Sequence, residues 1–429
     1  MLVAEFRDEE IVERRQAGLW SSIGLLRRNP SFRRLYVAQL ISYAGDWFAT
    51  VALLGLVNHL SGGSATLTTL VLVAQMLSIA LFSPLGGHLA DRVDRKRLMV
   101  AADAIRTVLA LGFLLIDSPG ELWMAYVLIA SISALSAAFT PASQAAVPNL
   151  VDPEDLPAAN VLEGAAWGTM LAVGGALGGV VAAALGRDAA FLGDSLSFVI
   201  SGLLLLGIRR RFAEDRPHEH PRMLEAMGET VRYARRDHRV LALLSVKGGF
   251  GLAAGAIGLL PIFALEVFHA GDRGTGILWA ARGVGALVGP FLVRRYTGDL
   301  RNLFVAIGTS FAVYGLFYGL MPLVGSLWAA APFVLAAHLG GGAQWTLSTY
   351  GLQRIVPDRI RGRVFAFDFA LVTTTLAGSI LVAGWAADRF DPRAVMVVLA
   401  AVAGAYAVVW SMLTTPIRRR ELSLDPAPA

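Results

Sequence analysis

The sequence contains no cysteine and almost no lysine. The absence of cysteine among 429 residues excludes disulfides and thiolate metal sites. The two lysines, Lys96 and Lys247, are followed by arginine and glycine, so no G-x-x-x-x-G-K-[ST] phosphate loop exists and the chain is not by itself an ATP-driven P-loop pump. The seven histidines form no H-E-x-x-H pair, and we therefore expect neither a metal site nor a cofactor.

Charge is also scarce, because 16% of the residues are charged and 55% are hydrophobic. A soluble domain carries about 25% charged residues, and the mean hydropathy here is +0.59. The net charge of +5 is compatible with nucleic-acid binding. However, the arginines lie beside apolar runs instead of forming one basic domain, which indicates a lipid bilayer as the partner and no nucleic acid.

Twelve apolar runs follow one another along the chain. Each is long enough to cross a bilayer, which takes about 20 apolar residues. The runs cover residues 35–58, 66–90, 98–116, 121–146, 159–185, 189–208, 239–265, 274–293, 302–322, 326–350, 364–387 and 393–414. The sequence therefore predicts an all-α membrane protein with twelve transmembrane helices.

Basic residues are distributed unevenly between the two ends of these runs. If the runs alternate in direction, 30 of the 37 Lys and Arg residues lie on the side of the termini, and the positive-inside rule places both termini in the cytoplasm. Val147-Pro148-Asn149 after run four recurs in kind as Val356-Pro357-Asp358 after run ten, which favours two six-helix bundles. The predicted parts are a cytoplasmic N-terminal segment (1–34), an N-terminal bundle (35–208), a cytoplasmic linker with an amphipathic helix (209–238), a C-terminal bundle (239–414) and a cytoplasmic tail (415–429).

A charged motif follows the second run, where the chain reads GHLADRVDRKR from Gly87. This motif resembles the loop signature G-x-x-x-D-R-x-x-R-R of the major facilitator superfamily, with Lys96 at a basic position. Gly87 permits close helix contact and Asp91 can accept hydrogen bonds from a neighbouring helix, so the motif is expected to act as a gate. Its expected members are Gly87, Asp91, Arg92, Arg95 and Lys96. The alternative is that these charges only set the topology. After run eight, Val293 occupies the acidic position, so a second gate of this kind is expected to be degenerate.

Several further segments resemble the branch of the superfamily that contains macrolide-efflux proteins and the enterobactin exporter. They are Gly45-Asp46, the stretch from Phe139-Thr140-Pro141-Ala142 through Val147-Pro148-Asn149-Leu150-Val151 to Asn160, Asp194-Ser195-Leu196-Ser197-Phe198, and Gln353-Arg354-Ile355-Val356-Pro357 with Arg361-Gly362-Arg363-Val364. This resemblance implies secondary-active export of small molecules, typically against a proton gradient. Run five is similar to the antiporter signature G-x-x-x-G-P-x-x-G-G, but Met170 and Gly175 depart from it. Its glycines predict a helix-contact face, with or without a hinge.

Ionisable residues inside the runs are candidates for proton coupling, because burial of charge in a membrane is unfavourable. Asp46 stands near the predicted midplane, where a carboxyl group favours reversible protonation. Asp103 and Arg106 are three residues apart and therefore share one helix face. They are expected either to form a plain internal ion pair or to couple with Asp46, with Arg106 exchanging between the two carboxylates. A purely structural role for Asp46 is the alternative.

A second set of candidates consists of polar or aromatic residues that could line a substrate cavity. Lys247 and Arg282 have no obvious acid in their own half and would favour acidic or amphiphilic substrates, although snorkelling to an interface is equally compatible. His338 is expected to be a hydrogen-bonded core residue more than a titrating one. Asp194 and Asp368 are interpreted as structural. The remaining cavity candidates are Tyr43, Trp47, Gln144, Gln344 and Trp345.

The preferred hypothesis is a proton-coupled antiporter of the bacterial cytoplasmic membrane that exports an amphipathic small molecule of the drug, macrolide or siderophore class by alternating access. It would act as a monomer and not as an enzyme, because no paired carboxylates or nucleophile elbow lie at a membrane face. The alternatives are uptake or lipid movement by the same fold, and a non-transporting membrane sensor, which the absence of a sizeable soluble output domain disfavours.

Overall fold

The computed structural model describes residues 19–209, 223–293, 296 and 299–424. Within these ranges the regular structure is helical. The α-helices are α1 (Leu19–Arg28), α2 (Pro30–Leu60), α3 (Ala65–Arg92), α4 (Arg95–Leu111), α5 (Leu122–Leu150), α6 (Leu156–Leu185), α7 (Arg187–Leu206), α8 (Met223–Arg236), α9 (His238–Ala253), α10 (Gly255–Ile262), α11 (Gly271–Val293), α12 (Leu300–Leu320), α13 (Leu327–Ile355), α14 (Asp358–Ala387), α15 (Pro392–Leu413) and α16 (Thr415–Leu424).

Ten helices of the described residues are long and apolar enough to cross a membrane, and Thr169–Leu185 within α6 is a shorter apolar segment. An all-helical membrane fold is therefore confirmed. Helix boundaries differ from the predicted runs by a few residues. α2 begins at Pro30, before the predicted start at 35, because the Asn29 side chain accepts a hydrogen bond from the Phe32 N–H (3.0 Å) and proline is tolerated in the first turn.

Two sets of helices are used below to describe positions. The N-terminal set comprises α2 to α7 and the C-terminal set comprises α9 to α15, and helices of each set pack on one another. We call the end of the helices where α1, α8 and α16 join them the linker face, and the other end the opposite face. The Asn29 amide donates to Leu150 O (2.7 Å) and Lys96 Nζ to Ile208 O (2.7 Å) at the linker face.

The seventh apolar run is interrupted, although the sequence predicts one continuous segment over 239–265. α9 ends at Ala253 and α10 starts at Gly255, and a π-helical turn, Phe263–Val267, completes the span. The Ser379 hydroxyl of α14 accepts a hydrogen bond from the Gly255 N–H (2.9 Å) and donates to Leu252 O, so it satisfies the backbone at the interruption. A polar side chain from a distant part of the chain is a contact that local periodicity does not reveal.

The predicted terminal segments and linker contain short helices. α1 lies in the N-terminal segment, α8 in the linker, and α16 in the tail. α8 packs against α14 and α9. Residues 1–18, 210–222, 294–295, 297–298 and 425–429 lie outside the described residues, and so do the predictions that fall on them.

Candidate functional site

A buried ion pair forms the centre of the N-terminal set. Arg106 and Asp103 are each 1% exposed on α4, and the guanidinium donates to the Asp103 carboxylate across one helical turn, as their spacing predicts. Ser201 of α7 donates a second hydrogen bond to Asp103 (2.7 Å). Arg106 also donates to Ser42 (3.3 Å) and Ser136 (3.1 Å), so the pair joins four helices.

Aromatic rings complete the surroundings of this guanidinium. The Arg106 guanidinium carbon lies 4.8 Å from the ring centroid of Phe139 and 4.4 Å from that of Phe198. Both rings are buried, and a desolvated cation over an aromatic face is stabilised by the ring quadrupole. The cation is therefore held from several directions.

Asp46 lies beside this pair, in the middle of α2. Its side chain is only half-buried, and it interacts electrostatically with Arg106 and Asp103. One turn before it on the same helix, Tyr43 makes a hydrogen bond with the Thr140 side chain. The structure thus brings the three residues predicted for proton coupling together, while their roles remain a hypothesis.

Two carboxylates of this region are absent from the predicted site. Asp194 of α7 is 0% exposed and interacts electrostatically with Asp46 and Arg106. Glu163 of α6 accepts a hydrogen bond from the Gln39 amide (3.2 Å). Glu163 stands inside predicted run five, so an ionisable residue within an apolar run was the available signal. The sequence shows that Asp194 lies inside an apolar run. It does not predict that Asp194 lies close to Asp46, because the two residues are far apart along the chain.

The cations of the C-terminal set require a correction. Lys247 on α9 does have an acid in its own half, because its ammonium group forms an ion pair with Asp368 of α14 and donates to Thr349 of α13 (2.9 Å). Its Nζ also lies 4.8 Å from the ring centroid of Trp345. Lys247 is 2% exposed and Asp368 3% exposed, so Lys247 does not snorkel to an interface.

The other predicted cavity residues of the C-terminal set form a second cluster. His338 Nε2 is 2.9 Å from the Tyr318 hydroxyl oxygen, as a hydrogen-bonded core residue should be. The Arg282 guanidinium lies 4.8 Å from the ring centroid of Trp279. Gln344 is 0% exposed, and among the described residues neither its amide oxygen nor its amide nitrogen has a hydrogen-bond partner. An unsatisfied buried amide is a potential ligand contact.

Glycines of α6 bring the two sets into close contact. A methyl group on Gly178 would lie 2.9 Å from the Phe48 Cα of α2, and one on Gly179 would lie 2.8 Å from the Gly276 Cα of α11. α6 therefore contacts both sets through adjacent glycine rows, which agrees with the predicted contact face. Trp47 and Trp279 meet across the same boundary with ring centroids 5.0 Å apart. Gln144, the last cavity candidate, is exposed on α5.

At the opposite face, Asp388 follows α14 and receives hydrogen bonds from the start of α3. The donors are the N–H groups of Ala65 (2.6 Å) and Thr66 (3.1 Å) and the hydroxyls of Ser64 (3.2 Å) and Thr66. Partial burial raises the pKa of Asp388, but these hydrogen bonds outweigh it and hold the pKa below its ordinary value. Arg187 and Asp272 form an ion pair between the sets nearby (2.8 Å).

The predicted gate motif lies at the linker face. Arg95 donates to Ala145 O of α5 (2.8 Å), and Lys96 donates to Leu206 O (2.9 Å) and Ile208 O (2.7 Å) at the end of α7. These cations therefore bind carbonyl groups within the N-terminal set, near helix C-termini where positive charge is stabilising. Arg92 is exposed. The surroundings of Gly87 and the side chain of Asp91 lie outside what the structure describes, so the gating hypothesis remains a prediction.

The long apolar helices and the buried charges between them define a multi-pass membrane transporter of the major facilitator type. The family described as "transmembrane secretion effector", within the same superfamily, matches residues 21–427. The chain therefore belongs to this family. This confirms the resemblance predicted from the motifs, and it makes the protein a transporter and not an enzyme.

Known proteins similar to the chain agree with this family. The MFS-type transporter YfiS of Bacillus subtilis is 27% identical, over 83% of this chain and 86% of the relative. Macrolide efflux protein A of Streptococcus pyogenes is 24% identical, over 83% of this chain and 89% of the relative. A bacterial homologue of the human lysosomal transporter Spinster has the same fold, with a TM-score of 0.69 at 16% identity over 93% of this chain and 98% of that structure.

Proposed function

We propose that the protein is a secondary-active exporter in which inward movement of protons drives outward movement of an amphipathic small molecule. The chain acts as a monomer with twelve membrane helices in two bundles, residues 35–208 and 239–414, and both termini in the cytoplasm of a bacterial cell. The positive-inside distribution of arginine and the efflux relative support this direction and location.

The observation that carries the proposal is the position of Asp46 beside the buried pair of Arg106 and Asp103. Asp46 is half-buried in the middle of a membrane helix, so its carboxyl group can exchange protons and still sense the neighbouring charges. Differential proton binding between two conformations is what couples a gradient to transport. Asp46 is therefore the proposed proton site, and Arg106 its electrostatic partner.

The contacts between the helix sets support alternating access. The Asp388 hydrogen bonds, the Arg187–Asp272 ion pair and the close approach of Gly179 to Gly276 all lie in the half of the helices next to the opposite face. In the proposal, this conformation opens toward the linker face, which is the cytoplasmic side. Substrate then enters between the sets near Trp345 and Gln344, and rocking of the sets releases it outside.

Reconstituted vesicles with an imposed pH gradient and an internal pH dye test this function. With a macrolide and a fluorescent lipophilic cation as probes, the wild type should exchange probe for protons. Asp46→Asn should lose proton-driven accumulation while downhill exchange persists, and Asp188→Asn, an exposed position on α7, serves as the control. Proton coupling that survives in Asp46→Asn would contradict the assignment, and accumulation in the reverse direction in oriented vesicles would indicate uptake.

A further inference from the structure

The proposed proton site does not explain why Asp194 is buried without a hydrogen-bond donor among the described residues. Its carboxyl group is fully enclosed within the N-terminal set, seven residues after the start of α7. Among the residues that the structure describes, none donates a hydrogen bond to either of its oxygens. A buried carboxylate without donors or a counter-ion is strongly disfavoured in its ionised form.

The nearby hydroxyl groups are already used elsewhere. On α7, Ser195 donates to Thr107 O (3.0 Å), Ser197 donates to the backbone oxygen of Asp194 (2.7 Å), and Ser201 donates to the Asp103 carboxylate (2.7 Å). The Asp194 side chain instead lies against the backbone of α2, where a methyl group on Gly45 would come within 2.7 Å of its Oδ1. Asp46 is the next residue on that helix.

The charges around Asp194 do not balance. Arg106 forms an ion pair with Asp103 on its own helix. This one cation therefore cannot also neutralise both Asp46 and Asp194. Of the other charged groups on the helices packed here, Glu163 of α6 accepts from Gln39, and Arg187 of α7 pairs with Asp272 at the opposite face. The remaining ones lie near helix ends: Arg33 and Arg34 at the start of α2, Arg95, Lys96 and Arg97 at the start of α4, and Asp188 at the start of α7. No cation among them neutralises a second carboxylate within the part of the chain described.

We infer that Asp46 and Asp194 form a carboxyl pair that holds the transported proton jointly, with Asp194 as the buried store and Asp46 as the exchange point. This inference rests on the proposed function and adds a second residue to its proton site. In the conformation described here Asp194 carries the proton. While the protein is still open to the cytoplasm, substrate entry brings Arg106 toward Asp194, and the proton passes from the Asp194 carboxylic acid to the Asp46 carboxylate and leaves from there to the cytoplasmic water.

The proposed pair requires a glycine at position 45. Only glycine lets the α2 backbone approach the Asp194 carboxyl group so closely, because a side chain there would also collide with Ser197 Oγ. Gly45 is therefore a positioning residue that brings Asp46 and Asp194 together. We expect Gly45→Ala to separate them and to uncouple proton movement from substrate movement.

Infrared difference spectroscopy of the purified full-length protein, isotope-labelled at aspartate, tests the pair without any substrate. At neutral pH the wild type should show the carbonyl band of a protonated aspartic acid, which shifts on exchange into heavy water. Asp194→Asn should lose this band, Asp46→Asn and Gly45→Ala should shift its frequency, and Asp188→Asn should leave it unchanged. An unchanged band in Asp194→Asn overturns the inference, and so does a band in Asp46→Asn identical to that of the wild type.

Two further measurements separate this inference from its rivals. If sodium chloride removes the carbonyl band at constant pH and ionic strength, the two carboxylates hold a sodium ion and the proton pair is wrong. In vesicles, Asp194→Asn should lose proton-driven accumulation as completely as Asp46→Asn does. A wild type that moves no protons with either probe refutes the proposed function, whereas the infrared result then still decides whether the two carboxyl groups share a proton.

Discussion

The two helix sets differ in the charges that they bury. In the N-terminal set, three carboxyl groups lie around Arg106. In the C-terminal set, the described buried charges are Lys247, Arg282, Asp368 and Asp272, and Asp272 pairs with Arg187 of the N-terminal set. The N-terminal cluster has more carboxyl groups than cations, whereas the C-terminal cluster places Lys247 beside Trp345 and next in sequence to Trp345 carries Gln344, whose amide has no hydrogen-bond partner among the described residues.

This difference suggests that coupling and selectivity reside in different halves of the molecule. Changes in the N-terminal cluster should alter how protons drive transport, whereas changes in the C-terminal cluster should alter which substrates bind. Changes to the contacts at the opposite face, which join the halves, should alter the conformational equilibrium. They should leave proton coupling and substrate selectivity intact. Each expectation can be tested separately, and because the chain has no cysteine, a cysteine introduced for labelling is the only thiol present.

The largest effect on stability is expected for Arg106→Met, which removes the cation at the centre of the N-terminal cluster. Asp103 would then be buried without its counter-ion, and the loss of stability should be about 3–5 kcal/mol. Unfolding by a denaturing detergent in mixed micelles measures it. Arg92→Met, at an exposed position, is the control, and Arg106→Met/Asp103→Asn should recover much of the loss. A single variant as stable as the wild type would mean that the pair does not hold the four helices together.

The second prediction concerns selectivity in the C-terminal cluster. Lys247→Met/Asp368→Asn removes both charges of the pair, so neither is left buried alone. Affinity for an acidic probe should fall about tenfold, equivalent to about 1.4 kcal/mol, because the cation beside Trp345 is lost. Affinity for the methyl ester of the same probe should change little. Equal losses for the acid and the ester, measured by ligand-induced thermal shifts, would assign the pair a structural role.

The contrast between the two clusters was only partly predictable from the sequence. Apolar runs predict the helices because each must cross about 30 Å of hydrocarbon, and the i, i+3 spacing predicts the Asp103–Arg106 pair. The Lys247–Asp368 pair spans 121 positions of the chain, and the contact of Asp194 with α2 depends on packing between α2 and α7. Pairing between distant helices is set by tertiary packing, which no local period encodes.

A smaller effect is expected at the junction of the two sets. Asp388→Ala removes the acceptor for the first N–H groups of α3, so the closed arrangement at the opposite face should weaken by about 1–2 kcal/mol. Spin labels at Asp117→Cys and Leu323→Cys, both exposed near that face, should report a larger population of long distances. Arg389→Ala is the control, since Arg389 follows α14 and contacts Trp385 near the end of that helix.

The pH dependence of this junction follows from the sign of the pKa shift. Hydrogen bonds hold the pKa of Asp388 below its ordinary value of 3.8. Its ionised form is favoured in the closed arrangement, so the stabilisation is complete at higher pH and is lost only as the pH falls through the lowered pKa. The contribution of Asp388 to the distance distribution should therefore be the same at pH 7 and pH 5. A shift toward open distances between those values would place the pH-sensitive group elsewhere.

The smallest effect should come from Tyr318→Phe in the C-terminal set. The variant removes the hydroxyl that meets His338 Nε2 and leaves the packing of the ring intact. A loss of about 1 kcal/mol in unfolding free energy is expected, because one buried hydrogen bond disappears. Substrate selectivity should remain that of the wild type, since His338 is expected to serve the core and not the ligand.

Tyr314→Phe provides a matched control one turn earlier on α12. Its ring also packs on His338, with centroids 5.6 Å apart, but among the described residues its hydroxyl has no hydrogen-bond partner. Removing that hydroxyl should therefore leave stability unchanged or slightly higher. If Tyr318→Phe alters the preference between acid and ester probes while Tyr314→Phe does not, His338 contacts the substrate. The selectivity determinants of the C-terminal set would then extend beyond Lys247.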